Sequence, residues 1–353
     1  MHKLGDAWSD IILKVMHKSD ITIKGRFIPR LAAVLAIVLA GCASTDQTES
    51  EVYKRISGGK LEKWLSLHDA AVLHWPYAWA AVAAYQDADD PKRGPLDTTA
   101  ECPEPNSFLE AQEWELWKEL PMLKQEGQPS LASEKMRDVH LRAQVWANSK
   151  EGKVVVAFGG TAATSYQDWK SNLRWLLAPF HPHDAYEVLS ETFIPVFVAA
   201  YQQRSALPDG DWLKKAQLIS TGHSLGGGLA QRFAYEINGK SDVPRIREIF
   251  AFDPSPVSGK RGVDHWQESA KGLTIYRIYN RGETLASIRS IFAMVEDPPE
   301  GEGQKWIDIR YRENWSWKTL LPSGSVHAHG IFDLACFMKR AMEIPPPGQE
   351  SLS

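Results

Sequence analysis

Leu218-Ile219-Ser220-Thr221-Gly222-His223-Ser224-Leu225-Gly226-Gly227-Gly228-Leu229-Ala230 sets Gly-x-Ser-x-Gly between an apolar strand and a helical run. Ala216 to Ser220 reads as a short buried strand, and Leu229 to Ile237 carries apolar residues at helical spacing, so Ser224 falls on a sharp strand-to-helix turn. Such a turn strains the backbone of the serine. Gly222 and Gly226 let neighbouring main chain pass close to it, and the following helix turns its positive end towards negative charge forming beside Ser224. Ser224 is the candidate nucleophile, the bland alternative being a glycine-rich packing turn that holds a serine.

Strand and helix patterns alternate around this stretch. Leu141 to Ala147 and Val154 to Phe158 flank Asn148 to Lys153 as two strands of a hairpin, and further strands are expected at Ile246 to Phe252 and Leu273 to Tyr279. Helical runs lie at Thr192 to Arg204 and Leu229 to Ile237. The alternation predicts an α/β fold with a mostly parallel central sheet covered by helices on both faces. Leu61 to Tyr85 is rich in Ala and Trp at helical spacing, with Tyr77 to Tyr85 expected against the sheet, while Asp87 to Ser107 reads as a surface loop.

A serine nucleophile needs a base to take its proton and a carboxylate to orient the base, in the chain order Ser, acid, His for this type of turn. Leu273 to Glu283 reads as a strand ending in a turn that delivers Glu283 at the C-terminal edge of the sheet, and Glu283 is the preferred acid. Asp253 in Phe252-Asp253-Pro254 competes, its plain role being to start a turn. His327 and His329 are the histidines downstream of Glu283; His329, directly ahead of the helical run Ile331 to Arg340, is the preferred base. The N–H of Leu225 supplies one oxyanion donor, and Thr161, after Val154-Val155-Val156-Ala157-Phe158-Gly159-Gly160, is expected to supply the other. Neither His327-Ala328-His329 nor His181-Pro182-His183-Asp184 has an evident further ligand, so no metal and no organic cofactor is expected.

The ends carry a separate message. Lys24, Arg26 and Arg30 precede the apolar run Leu31 to Ala40, the order of a secretory signal, and ten apolar residues are too few to span a bilayer. Met16 lies closer to that run than Met1 and offers a start with a shorter basic region. Leu39-Ala40-Gly41-Cys42 resembles a bacterial lipobox, which implies cleavage before Cys42 and its lipidation; Ala43, in place of a retaining aspartate, points to the outer membrane. The expected organisation is a signal over 1–41, a tether over 42–60, one domain over 61–345 and a tail over 346–353. Removing residues 1–41 takes away six basic and three acidic side chains, leaving 34 basic against 41 acidic, with no basic aromatic-laced cluster, so nucleic acid is not an expected partner. Cys102 and Cys336 remain. The periplasm permits a bond between them, but Cys336 in the apolar run Ile331 to Met338 reads rather as a buried free thiol.

With these residues in view, the chain resembles the class 3 lipases, a branch of the α/β-hydrolase fold. The resemblance rests on Tyr77 to Tyr85, Phe158-Gly159-Gly160-Thr161, Asp168-Trp169, Gly222 to Gly227, and Arg277-Ile278-Tyr279-Asn280 followed by Glu283, and covers residues 75 to 340. It implies a triad of Ser224, Glu283 and His329, an oxyanion hole at Thr161 and Leu225, and hydrolysis of carboxylic esters, lipid esters foremost. It also implies a lid over Trp169 to Asp184. Gly159 stands where that family has arginine, and Glu283 where it mostly has aspartate. Those departures, with the tryptophan-rich stretch Trp306 to Trp317, leave a non-catalytic binding module as a rival reading, and a serine hydrolase or acyltransferase for a non-lipid substrate as another.

Overall fold

The computed structural model describes residues 51–56, 59–86, 98–120, 131–160, 183–255, 258–280, 303–312 and 330–343. In chain order the elements are β1 (Glu51–Ile56), β2 (Glu62–Lys63), α1 (Leu67–Ala83), α2 (Pro105–Ala111), β3 (Glu115–Leu116), α3 (Leu131–Asp138), β4 (Arg142–Asn148) and β5 (Lys153–Gly159). There follow α4 (His183–Val188), a π-helical turn (Leu189–Phe193), α5 (Ile194–Ser205), β6 (Gln217–His223), α6 (Leu225–Asn238), β7 (Glu248–Phe252), α7 (Trp266–Ala270), β8 (Thr274–Asn280), β9 (Lys305–Arg312) and α8 (Ile331–Glu343).

The nine strands make one sheet in the order β2-β1-β9-β8-β7-β6-β5-β4-β3. β5 to β9 are parallel, and β4 and β1 flank them antiparallel. This is the expected α/β architecture: a mixed sheet with a parallel centre, covered on both faces. The two-residue side-chain period of a strand explains the two covers. Val154, Val156 and Phe158 of β5 join one core with Phe193, Phe197 and Phe233 from the helices α4 to α6. Val155 and Ala157 point the other way and join Trp79 of α1 and Met338 of α8. In β7, Ile249 and Ala251 enter the first core, Phe250 and Phe252 the second.

Tyr77 does pack on the sheet as expected, stacked on Phe250 at 3.8 Å, which in turn stacks on Tyr276 at 4.8 Å. Next to this stack, fully buried His74 holds Tyr311 through its Nδ1 at 2.7 Å. Burial lowers its pKa to about 3, so the ring is neutral in the folded protein.

Three expectations need correction. Residues 51–56, read as part of a tether, form a strand: Val52 is buried, and Arg55 of β1 and Arg277 of β8 both grip the buried carboxylate of Asp308 on β9, at 3.0 and 2.7 Å through their Nε atoms. The folded domain therefore begins at β1 rather than at 61. The loop read over 87 to 107 ends in helix, because Glu104 caps α2 through the N–H groups of Asn106 and Ser107 and Pro105 opens its first turn. Cys336 is not a free thiol. It is bonded to Cys102, with Cα atoms 5.3 Å apart, because α2 and α8 pack on the same helix, α1, which brings the loop before α2 to α8. Boundaries also shift: the helix expected over Leu61 to Tyr85 starts only at Leu67, behind a Ser66 cap, and Glu62–Lys63 pair as β2 instead; β6 runs to His223 and α6 starts at Leu225, so both abut Ser224.

Two stability effects follow. Reduction of Cys102–Cys336, or Cys102→Ala, frees a 234-residue separation and should cost about 2–4 kcal/mol in denaturant unfolding. For His74 the folded pKa lies below the unfolded 6.5, so the unfolded chain binds the proton first as pH falls. Its contribution is complete above pH 6.5 and is lost towards pH 3, at about 1.4 kcal/mol per pH unit. Unfolding curves of the protein and His74→Leu across that range should differ by this slope.

Candidate active site

β6 enters the site between β5 and β7, and its last residues pair Gly222 with Phe158 and with Ala251. Ser224 then takes φ 56° and ψ −122° as the residue before α6. For a residue with a Cβ this conformation costs about 1–3 kcal/mol, and it persists only where the surroundings over-determine it. They do here. The Ser224 N–H donates to Phe252 O at 3.0 Å, and the Ser224 carbonyl accepts from Gly227 at 3.0 Å and from Ser255 at 2.9 Å.

The motif's glycines are required by close approach. A Cβ on Gly222 would sit 2.3 Å from Gly226 O, and one on Gly226 would sit 2.1 Å from Phe158 O. One on Gly160 would meet His223 O and the Tyr85 hydroxyl at 2.7 Å each and the Leu225 nitrogen at 3.2 Å. The chain leaving β5 therefore passes directly beside the Leu225 N–H, as a two-donor oxyanion hole needs. Gly159 has its own reason: a Cβ there would lie 2.9 Å from Ala84 O and 3.2 Å from the Arg142 Cβ. The backbone following α1 fills the space that a side chain at position 159 would need.

Ser224 makes no capping hydrogen bond with its side chain, and it is half-buried, so its hydroxyl is at the surface of the turn. Leu225 opens a 14-residue helix whose first N–H groups are unused within the helix. Asp253 follows β7, buried, at φ 40°, and its N–H donates to Ile278 O at 2.8 Å. Thr161, Glu283, His327 and His329 lie outside the described residues, as do Asp168, Cys42 with its signal, and all of the lid expected over Trp169 to Asp184 except His183 and Asp184, which open α4. Of the expected site, the structure thus brings Ser224, Leu225 and the competing acid Asp253 to one edge.

One residue escaped the sequence reading. Tyr85, read as a sheet-packing aromatic, places its hydroxyl 2.9 Å from His223 Nδ1 and 3.4 Å from His223 O. It ties the end of α1 to the residue before the nucleophile and presses on Gly160. Its signal in the sequence was its place at the end of an apolar helix, which does not separate it from Tyr77. Two concavities of about 510 and 470 Å³ lie at the other edge of the sheet, lined by Tyr201, Lys214, Pro244 and Arg247 among others, and contain none of the site residues.

A parallel-centred sheet with a serine on such a turn, glycine-clasped and opening a helix, defines the α/β-hydrolase class. Residues 77–243 match the family model of the Tle-like phospholipase domain, described as phospholipase-like. No curated protein sequence matches the chain. Among solved structures, the lipase from Rhizopus microsporus var. chinensis is 16% identical with a TM-score of 0.42, covering 74% of this chain and 86% of its own. The Rhizomucor miehei lipase in complex with its propeptide is 12% identical with a TM-score of 0.40, covering 78% and 81%. Esterase B of Lactobacillus rhamnosis is 13% identical with a TM-score of 0.30, covering 78% and 97%.

Tyr85→Phe keeps the ring and removes the hydroxyl. It should lower kcat about tenfold with KM changed less than about twofold, as loss of one buried hydrogen bond at the turn implies. Steady-state kinetics beside thermal unfolding separates this from a general loss of stability.

Proposed function

We propose that the chain is a serine hydrolase of lipid carboxylic esters, phospholipids foremost, held at the bacterial outer membrane by a lipidated Cys42. The observation that carries the reading is Ser224 in its positive-φ turn at the head of α6, with the strand end at Gly160 beside the Leu225 N–H. The phospholipase-like match over residues 77–243 supports the substrate class. The Cys102–Cys336 bond suits an oxidising compartment such as the periplasm.

In the mechanism, His329 takes the Ser224 proton as Oγ attacks the ester carbonyl, and Glu283 orients the imidazole and stabilises its charged form. The N–H groups of Leu225 and Thr161 receive the oxyanion. His329 returns the proton to the leaving alcohol; water then attacks the acyl-enzyme, its proton passing through His329 to Ser224, and releases the carboxylic acid.

The binding-module rival drew on Gly159 and on the tryptophan-rich stretch. Gly159 and Trp306 have structural reasons: a Cβ on Gly159 would lie 2.9 Å from Ala84 O, and Trp306 belongs to β9 with the Arg277 guanidinium 4.4 Å above its ring, while Trp315 and Trp317 lie outside the described residues. Neither supports decay of a catalytic site.

Hydrolysis of short- and long-chain p-nitrophenyl esters and of phospholipid should be lost about 10⁴-fold or more in Ser224→Ala, with fluorophosphonate labelling abolished. Glu283→Gln and His329→Ala should fall with it, while Asp253→Asn and His327→Ala retain turnover. A folded but inactive and unlabelled protein removes the hydrolase reading, and inversion of either pair reassigns the acid or the base.

A further inference from the structure

We propose that, because β1 begins on the edge of the sheet that carries Ser224, an enzyme anchored through the chain ahead of β1 acts in cis, on lipids of the bilayer that holds it. This rests on the reading of Cys42 as the lipidated residue and of Ser224 as the nucleophile. It goes beyond that reading by naming the membrane from which the substrate comes.

The argument is one of strand direction. β5 to β9 are parallel, and β6 delivers Ser224 at its C-terminal end. β1 runs against β9, with Glu51 opposite Arg312 and Ile56 opposite Ile307. The C-terminal end of β9 lies on the edge where β6 also ends, so Glu51 is on the edge of Ser224 and Ile56 on the other. Along that edge β1 and β6 are four strand spacings apart, roughly 19 Å.

The reach of the chain makes this position matter. From Cys42 to Glu51 are nine peptide steps, at most about 30 Å when extended. A lipid on Cys42 keeps Glu51 within that distance of the bilayer, and Ser224 within roughly 50 Å in the least favourable orientation. Had β1 entered the sheet parallel to its neighbour, the anchor would meet the opposite edge, and the nucleophile would stand a further strand length away. A short tether on the catalytic edge raises the effective concentration of the enzyme at its own membrane, and that advantage decays as the tether lengthens.

The test uses the full chain, produced lipidated and reconstituted into vesicles of phosphatidylethanolamine and phosphatidylglycerol. A fluorogenic phospholipid is placed either in the protein's own vesicles or in separate protein-free ones. Hydrolysis in cis should exceed hydrolysis in trans at least tenfold at equal lipid. Thirty Gly/Ser residues inserted between Thr48 and Glu49 should lower the cis rate several-fold, with turnover of detergent-dispersed phospholipid unchanged. An anchor that held the site away from its membrane would show the opposite sign, because a longer tether would release it. Equal cis and trans rates, or a cis rate that the insertion raises or leaves unaltered, overturn the proposal alone. A chain lacking the diacylglycerol mass on Cys42, or lacking Ser224-dependent turnover in detergent, overturns it together with the reading beneath it.

Discussion

The backbone of Ser224 cannot hold φ 56° and ψ −122° by itself; it holds them because three pieces of main chain meet there. Gly222 and Gly226 come together across the turn, Gly226 rests against Phe158 O, and Ser255 and Phe252 bind the serine's carbonyl and N–H from β7. Each contact requires β5, β6 and β7 in register and parallel, since only then do their ends converge on one edge. The strain of a few kcal/mol at the turn is offset by sheet and core together. The strained turn at Ser224 is thus a property of the parallel centre of the fold, and helices cover that centre on both faces.

The layer that contains α1 contributes more than cover. Its middle buries His74 and Tyr77 against β7, β8 and β9, and the chain following its last turn puts Ala84 against Gly159 and Tyr85 against His223 and Gly160. Packing on one side of the sheet is in this way transmitted to the spacing between Gly160 and the Ser224 turn. α8 packs on α1, and the Cys102–Cys336 bond fixes α8 to the segment before α2.

The parts legible in the sequence were those with local signals. Gly222-His223-Ser224-Leu225-Gly226 located the turn because its glycines answer contacts made within a few residues and with one neighbouring strand, and the apolar runs of β5, β6 and β7 showed themselves because buried parallel strands are apolar on both faces. β1 was hidden. In Glu51-Val52-Tyr53-Lys54-Arg55-Ile56 only Val52 is buried, and the partner that draws the segment into the sheet, Asp308, is 253 residues away. β9 also went unread: Ile307, Ile309 and Tyr311 are buried on one face, but Asp308 and Arg310 between them are charged side chains whose places depend on β8 and β1. The disulfide was illegible because its proximity is created by two helices packing on a third. Tyr85 was seen as a core residue, and only the placement of Gly160 distinguishes it from its neighbours on the helix.

Asp308 shows how the peripheral strand becomes part of the machine. It is a buried carboxylate, and its register partners are Arg55 on one side and Arg277 on the other. A single carboxylate between two guanidinium groups satisfies its acceptors with charge-assisted bonds, and each arginine contributes from a different strand. Removing β1 would take Arg55 away from Asp308 and expose the flank of β9. The strand is therefore held by an ionic row across the sheet as well as by its backbone ladder. Its antiparallel sense decides which edge the chain ahead of Glu51 meets, and the buried ion pair helps to hold the strand on which the facing of an anchored enzyme would depend.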